Sequence, residues 1–344
     1  MVGMLSSNVH FLSPNVHALW RAFAENHLQA PFEKQFMKQQ VRTSDGMTVL
    51  RTPDSCFNDL PDYPFAPHYH DVTPGLRLHY VDEGPRDAAP VLMLHGEPTW
   101  SYLYRHMIPP VAGAGLRVLA PDLIGFGKSD KPARKSDYSY AGQVAWMRQW
   151  VEALDLRDIT LVCQDWGSLI GLRLAAEMPE RFARVLLANG GLPTSRTRVG
   201  PAFHIWRAFS RLSPVFPIGW IVQGGMRHLL SRTERRAYDA PFPSAAYKAA
   251  ARVYPSLVPV SNYSPEASDD NERAWYVFDR WTRPFICCFS DGDPITRGLD
   301  REFLQRVPGT RHQPHATLHG GHFIQEDDPR RFADMVIAAC KRQA

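Results

Sequence analysis

An acidic residue stands where a short apolar run, Ile159–Cys163, gives way to a helical pattern over Ser168–Glu177. This order of strand, sharp turn and helix is typical of a nucleophile elbow, which raises one side chain above the edge of an α/β sheet. The familiar elbow carries serine between two glycines, but no Gly-x-Ser-x-Gly sequence occurs in the chain, and Asp165 stands at the apex instead. A carboxylate nucleophile suits attack on a saturated carbon, with an enzyme ester as the intermediate.

The second candidate group is the backbone of Glu97, which follows the apolar run Val91–Leu94. Backbone N–H groups near a strand end can stabilise the oxyanion of a tetrahedral intermediate, and we expect those of Glu97 and Trp166 to do so. The sequence leaves structural explanations open for the same residues. Gly96 could make a tight turn, and Asp165 could merely cap a helix.

An acid and a histidine follow the last two strands of the series. Asp291 and Asp293 come after the apolar run Phe285–Phe289, and His322 comes after a weak strand near residues 316–318. Either acid could simply make a turn, and a lone loop histidine is usually solvated. However, nucleophile, acid and histidine occur in the chain order that α/β-hydrolases use. We therefore expect His322 to act as a base that one of the two acids orients.

The histidines near the C-terminus do not indicate a metal site. Four of them lie close together in sequence: His312, His315, His319 and His322. No cysteine or acid stands at the spacing that a zinc site requires. We predict neither a metal nor a cofactor.

Apolar periodicity predicts the elements that would hold these groups. His68–Val72 and Leu76–Val81 alternate in polarity, as a half-exposed antiparallel pair would. Continuous apolar runs, which suit strands buried on both faces, then cover Val91–Leu94, Arg117–Ala120, Ile159–Cys163, Arg184–Ala188 and Phe285–Phe289. Helical segments separate these runs, so we predict an α/β fold with a doubly wound, mostly parallel sheet.

The alternation breaks over residues 193–262, which hold many aromatic residues and prolines but no buried strand. We interpret this segment as a helical cap, inserted after the sixth strand over the sheet edge where open α/β sheets bind ligands. Residues 47–192 and 263–344 would then form the core domain. Residues 1–46 are expected to be a peripheral extension without catalytic residues, although a docked helix or an alternative start at Met47 would also fit.

The composition is that of an ordinary globular protein, with 44% apolar and 22% charged residues among 344. A net charge of +4, spread without a basic run, argues against nucleic acid as a partner. No stretch of about eighteen apolar residues predicts a membrane span, and the N-terminus lacks the pattern of a secretory signal. Five cysteines, two of them adjacent, favour a reducing compartment. We expect a cytoplasmic protein, and a monomer.

Four motifs together resemble those of haloalkane dehalogenases, specifically the subfamily whose catalytic acid follows the late strand. They are His95–Arg105 (HGEPTWSYLYR), Ala120–Pro132, Gln164–Gly167 (QDWG) and Gly321–Glu326 (GHFIQE). The resemblance covers roughly residues 47–340, and QDWG beside HGEP is uncommon elsewhere. It implies an α/β-hydrolase fold that acts on a halogenated alkane and water.

The resemblance also assigns the catalytic roles. Asp165 would displace halide and form an alkyl ester, which water activated by His322 would then hydrolyse. Asp293 would orient His322, with Asp291 as the alternative acid. Because the first step transfers no proton, we expect His322 to remain neutral until the second.

In this family two indole N–H groups bind the departing halide. The first belongs to the residue after the nucleophile, here Trp166, and the second comes from the cap. The segment Phe203–Trp206 resembles the family's cap pattern, so the resemblance implies Trp206 as the second donor. Trp206 could instead be an aromatic residue of the cap core, and Trp220 is then the alternative donor.

Two other functions stay open at this point. An epoxide hydrolase on the same scaffold would need a general acid for its alkoxide leaving group, typically a pair of cap tyrosines. Four tyrosines in or beside the cap could serve: Tyr238, Tyr247, Tyr254 and Tyr263. A binding protein without catalysis could use the same pocket. Trp166 beside the nucleophile favours halide, and the intact set of Asp165, Asp293 and His322 favours an enzyme.

Overall fold

Two β-sheets are present in the computed structural model, which describes residues 40–260 and 265–342. Their strands are β1 (Gln40–Arg42), β2 (Thr48–Leu50), β3 (His68–Thr73), β4 (Leu76–Glu83), β5 (Pro90–Leu94), β6 (Arg117–Pro121), β7 (Lys131–Pro132), β8 (Ile159–Asp165), β9 (Phe182–Gly190), β10 (Phe285–Ser290) and β11 (Ala316–Leu318). The central sheet has eight strands in the order β11-β10-β9-β8-β5-β6-β4-β3.

Six neighbouring strands of the central sheet run parallel to one another: β6, β5, β8, β9, β10 and β11. Strand β4 pairs antiparallel with both β3 and β6. Strands β3 and β4 pair antiparallel, as predicted, with His68 opposite Tyr80. The expectation that the pair is half-exposed is wrong for β4, which is buried from Leu78 to Asp82. Every residue of β5 and β10 is buried, and so is β8 up to Gln164. The continuous apolar runs therefore mark strands covered on both faces, and the predicted α/β fold is confirmed.

Helices connect and cover these strands. They are α1 (Ile108–Gly113), α2 (Tyr140–Ala153), α3 (Trp166–Glu177), α4 (Pro201–Leu212), α5 (Ile218–Gly224), α6 (Arg232–Asp239), α7 (Ala249–Leu257), α8 (Pro265–Phe278), α9 (Asp300–Arg306), α10 (Ile324–Asp327) and α11 (Pro329–Lys341). Helix α3 packs between α2 and α8, while α1 packs on α11 and β6. Within the two described ranges, no helix is long and apolar enough to cross a membrane.

Helices α4 to α7 occupy the segment that interrupts the alternation. They follow β9, which is the sixth strand of the central sheet along the chain, as predicted. Helix α4 packs on α7, and α5 packs on α6. Helix α8 contacts α3 and so belongs with the core helices. Residues 261–264, where the boundary between cap and core is predicted, lie outside the described residues.

The predicted N-terminal boundary falls inside the smaller sheet. Strand β1 pairs antiparallel with β2, and β2 pairs with β7, in the order β1-β2-β7. Residue 46, the predicted end of the extension, therefore lies in the turn between β1 and β2. A strand of three residues, such as β1, is too short to show a periodic pattern in the sequence. Residues 1–39, with the weakly amphipathic stretch near their middle, lie outside the described residues.

Candidate active site

Asp165 ends β8 in a backbone conformation that non-glycine residues rarely adopt, with φ of 49° and ψ of −127°. Helix α3 begins directly after it, at Trp166, two residues earlier than the sequence pattern predicts. Glycines allow neighbouring backbone to approach this turn. A Cβ on Gly167 would overlap the carbonyl of Leu94, and a Cβ on Gly96 would overlap the Asp165 side chain. The turn therefore has the form of a nucleophile elbow.

The Asp165 carboxylate contacts two of the predicted partners. Its Oδ1 accepts a hydrogen bond from the backbone N–H of Glu97 at 2.8 Å. Its Oδ2 lies 3.5 Å from Nε2 of His322. The three groups come from the loops after β8, β5 and β11, which meet at the carboxyl edge of the parallel sheet. This is the convergence that the sequence predicts for strands of a parallel sheet.

The other ring nitrogen of His322, Nδ1, lies 3.0 Å from Oδ2 of Asp293. Asp293 is fully buried, and its carboxylate also accepts hydrogen bonds from the Ile295 N–H at 2.8 Å and from the Thr296 hydroxyl. Asp291, the alternative acid, instead contacts Arg227 and His319 near the surface. The structure thus brings Asp293, not Asp291, to the imidazole.

Electrostatics in this group favour charge on both partners. Burial would raise the pKa of Asp293, but His322 and the Thr296 hydroxyl outweigh it and lower that pKa to about 2. Burial would lower the pKa of His322, but the carboxylates of Asp293 and Asp165 raise it to about 10. The two carboxylates therefore favour the charged form of the His322 ring in the free enzyme, whereas the sequence analysis expects a neutral ring before the first step.

Gln164 is a neighbour of His322 that the sequence analysis did not identify. Its Nε2 lies 3.0 Å from Nε2 of the imidazole and donates to the His322 carbonyl at 3.2 Å. Asn189 donates to the same carbonyl at 2.9 Å. Gln164 precedes the nucleophile at the end of a strand, and that position was the only signal in the sequence. Both amides hold the histidine loop against the sheet.

The Glu97 side chain is a second feature that sequence reasoning missed, since only its backbone was considered. It is 4% exposed, and its Oε1 has no hydrogen-bond partner among the described residues. Burial, reinforced by the Asp165 charge, raises the pKa of Glu97 well above its usual value, although a hydrogen bond from Trp206 opposes the shift. The buried Glu97 carboxyl therefore lies beside Asp165 in surroundings that favour the protonated form of Glu97.

Both predicted indole donors line the cavity above Asp165, whereas the alternative does not. The Trp166 ring is buried and lies 4.5 Å, between ring centroids, from Tyr254. The Trp206 ring stacks with Phe216 at 5.6 Å. Trp220 is absent from the cavity lining, and the Arg235 guanidinium lies 4.4 Å from its ring centroid. Of the three candidate tryptophans, only Trp166 and Trp206 line the cavity above Asp165.

The cavity has a volume of about 390 Å³ and a mostly apolar wall. Residues from the cap and from the core line it, including Leu169, Phe203, Trp206, Ile221, Val258 and Leu299. None of the lining residues is a tyrosine within the described chain. Tyr238 hydrogen-bonds to Glu326, and Tyr254 donates to the Ile124 carbonyl at 3.4 Å. Tyr247 contacts the Arg51 carbonyl, and Tyr263 lies outside the described residues.

Comparison with known proteins first defines the class. A model of the α/β hydrolase fold family matches residues 89–329, in agreement with the sheet and the elbow. Haloalkane dehalogenases of Mycobacterium marinum and Psychrobacter cryohalolentis are each 52% identical over 296 residues, 85% of this chain and 99% and 97% of theirs. The solved structure of a tetrameric haloalkane dehalogenase from Paraglaciecola agarilytica is 34% identical, covers 86% of this chain and 99% of its own, and has a TM-score of 0.79.

The chain belongs to the haloalkane dehalogenases, hydrolases that act on carbon–halide bonds. The family resemblance stated from the four motifs is confirmed.

Proposed function

We propose that the enzyme hydrolyses haloalkanes through a covalent alkyl ester on Asp165. The observation that supports this most directly is the pair of contacts made by one carboxylate at the floor of an apolar cavity. Oδ1 of Asp165 is held by the Glu97 N–H, and Oδ2 lies beside His322. One oxygen is thus prepared to become a carbonyl oxygen, and the other to form the new bond.

In the first step Oδ2 attacks the carbon that bears the halogen, in line with the bond that breaks. The electron pair of the carbon–halogen bond leaves with the halide, and no proton moves. The departing anion cannot usefully accept a proton at neutral pH, so it needs donors in a cavity with little water. The indole N–H groups of Trp166 and Trp206 are the donors that we propose, and both line the cavity.

In the second step a water molecule attacks the carboxyl carbon of the Asp165 ester and transfers a proton to Nε2 of His322. The negative charge develops on Oδ1, where the Glu97 N–H already donates at 2.8 Å. A second donor would be the Trp166 N–H, and one such donor is worth about 3–4 kcal/mol. The bond from the carboxyl carbon to Oδ2 then breaks, and the leaving alkoxide takes the remaining proton of the attacking water. The alcohol leaves, the Asp165 carboxylate is restored, and His322 keeps the proton that it accepted.

Ester formation also prepares the base. In the free enzyme the pKa of His322 is raised to about 10, and Asp165 is one of the two carboxylates responsible. An ester carries no charge, so alkylation removes that contribution and lowers the pKa of His322 toward the range of a general base. Asp293 remains to orient the ring and to stabilise its charged form. After alkylation the charged ring gives its proton to solvent, and neutral His322 is then the base for the second step.

The epoxide hydrolase alternative has no comparable support. It requires an acid aimed at a leaving alkoxide, and the cavity wall contains no tyrosine among the residues described. The cap at residues 193–262, a monomeric state and a cytoplasmic location remain predictions.

The proposal is tested by halide release from 1-bromobutane and 1,2-dibromoethane. Asp165→Ala should lose about 10⁴-fold or more in turnover, because it removes the nucleophile. His322→Gln should instead accumulate an ester, visible as an increase in intact mass equal to the alkyl group. Asp165→Ala supplies the control for that adduct, since it has no carboxylate to alkylate. Bromide release by Asp165→Ala at the parent rate, or the absence of any adduct in His322→Gln, would contradict the scheme.

A further inference from the structure

A segment of the cap, Gly225–His228, lies directly against the histidine loop, Gly320–Phe323. The His322 N–H donates to the Gly225 carbonyl at 2.6 Å, and the Phe323 N–H donates to the same oxygen at 3.3 Å. The backbone of the proposed base is therefore hydrogen-bonded to the cap as well as to the core. We refer to these two segments together as the cap–histidine junction.

Glycines on both sides make this approach sterically possible. A Cβ on Gly225 would lie 2.6 Å from the Phe323 ring, and a Cβ on Gly321 would lie 2.9 Å from the Met226 Cα. Real Cβ atoms essentially never come so close to other atoms, so either side chain would separate the two segments. The junction therefore depends on contact between two backbones.

Asp327 lies at the end of α10, five residues after His322, and its carboxylate bridges the same two segments. On the cap side it accepts from the Arg227 N–H at 2.9 Å and the His228 N–H at 2.6 Å. On the core side it accepts from the Gly321 N–H at 2.6 Å, one residue before the base. All of these groups are donors, so only an acceptor with two oxygens satisfies the site.

The neighbouring residue Glu326 forms a second bridge to the cap. Its carboxylate contacts Arg105, which is buried and also binds Glu234 of α6 at 3.0 Å. The hydroxyl of Tyr238, also in α6, donates to Glu326. Helix α10 thus carries two adjacent carboxylates that both bind the cap, and it directly follows the histidine loop. If the cap moved, the contacts of either carboxylate would move α10 and, with it, His322.

We infer that Asp327 is a positioning residue for ester hydrolysis, because it couples the place of the cap to the place of His322. The inference rests on the proposed function, in which His322 serves the second step and not the first. Loss of the bridge should therefore slow hydrolysis of the ester while leaving alkylation of Asp165 nearly unchanged. A merely structural role would instead lower both steps in proportion to the folded fraction.

Asp327→Asn is the main variant, since asparagine presents an N–H₂ group to one set of the donors. Asp328→Asn is its matched control: it removes the same charge one residue away, where the carboxylate makes no hydrogen bond to any described residue. Gly225→Ala acts on the same junction from the cap side. Rapid-quench measurements with 1-bromobutane give the two steps separately, and intact mass gives the fraction of ester at steady state.

In Asp327→Asn we expect hydrolysis to slow by about 10- to 100-fold, since a misplacement near 1 Å costs that much. Ester should accumulate, and kcat and KM should fall together while kcat/KM, which reports alkylation, changes by less than about threefold. Gly225→Ala should show the same pattern, and Asp328→Asn should match the parent enzyme. Circular dichroism and the unfolding midpoint establish that each variant is folded.

Two results would overturn the role of Asp327. One is unchanged hydrolysis in folded Asp327→Asn, and the other is an equal loss of both steps in Asp327→Asn and Gly225→Ala. His322→Gln separates this failure from a failure of the proposed function. If His322→Gln accumulates ester but Asp327→Asn does not, the covalent scheme stands and the coupling is refuted. If neither variant forms ester, the covalent scheme itself fails.

Discussion

The loops at the carboxyl edge of the sheet and the helices above them are built in different ways. The side chains of Asp293 and His322 are 1% and 4% exposed, and the strands before them are fixed by backbone pairing. Helix α4, which carries Trp206, leaves Ile205 and Leu212 59% and 78% exposed. Its position depends on side-chain packing against α7 and the Phe216 ring. The positions of side chains at the sheet edge are therefore fixed more tightly than those of side chains in the cap.

This difference suggests a division of labour. The groups that we propose to make and break bonds lie at the sheet edge, where a shift of about 1 Å would be costly. The cap contributes most of the apolar wall and the second of the two proposed halide donors, so it would govern which haloalkane fits. The cap–histidine junction is where the two regions meet. Three predictions test this division.

The largest expected effect separates the two acids after β10. Asp293→Asn should lower turnover by about 10³- to 10⁴-fold, because an amide neither stabilises the imidazolium nor fixes the productive tautomer of His322. Asp291→Asn should lower it only a few-fold, since that carboxylate contacts Arg227 and His319 instead. Steady-state bromide release measures both. Comparable losses of turnover in the two variants would contradict the choice of Asp293 as the acid that orients His322.

The second effect is a pH dependence confined to the sheet edge. Ester hydrolysis needs neutral His322, so its rate should fall about tenfold per pH unit below the pKa of His322 in the ester. Since the free enzyme's His322 pKa is raised and alkylation removes one of its causes, that pKa should lie below about 10. Alkylation moves no proton and should stay flat. Single-turnover rates from pH 5 to 10 test this, and Trp206→Phe should keep the same profile.

The smallest effect concerns the cap tryptophans. Trp206→Phe should weaken bromide binding about tenfold, because a hydrogen bond to a charged group contributes about 1.5–3 kcal/mol. Trp220→Phe should bind bromide within about twofold of the parent, since its ring lies under Arg235 and outside the cavity lining. Bromide quenching of the remaining tryptophan fluorescence measures both affinities. A weaker site only in Trp220→Phe would reverse the assignment.

Much of the sheet edge could be predicted from the sequence, for a physical reason. Strands buried on both faces appear as continuous apolar runs, and the loops after parallel strands must meet at one edge. Asp165, Glu97, Asp293 and His322 could therefore be brought together without coordinates. The choice of Asp293 over Asp291 required the family resemblance, because their two-residue separation gives no sign of which one turns inward.

Side-chain environments could not be predicted in this way. The buried Glu97 carboxyl, the contact of Gln164 with His322 and the bridge made by Asp327 all depend on packing between segments far apart in sequence. The raised pKa of His322 could not be predicted either, since it is set by two carboxylates whose distances only the structure gives. Strand β1, which lies before the predicted end of the extension, could not be recognised in the sequence, because its three residues are too few for a periodic signal.

The backbone conformation of Asp165 lowers the stability of the folded chain, whereas its side chain has the central role in the proposed mechanism. A non-glycine residue in such a conformation carries a strain of about 1–3 kcal/mol, whereas glycine adopts it freely. Glycine loses roughly 0.5–1 kcal/mol through the flexibility of its unfolded chain, which is less than most of that range. Under the proposed mechanism, glycine at position 165 would therefore stabilise the folded chain and at the same time remove the nucleophile.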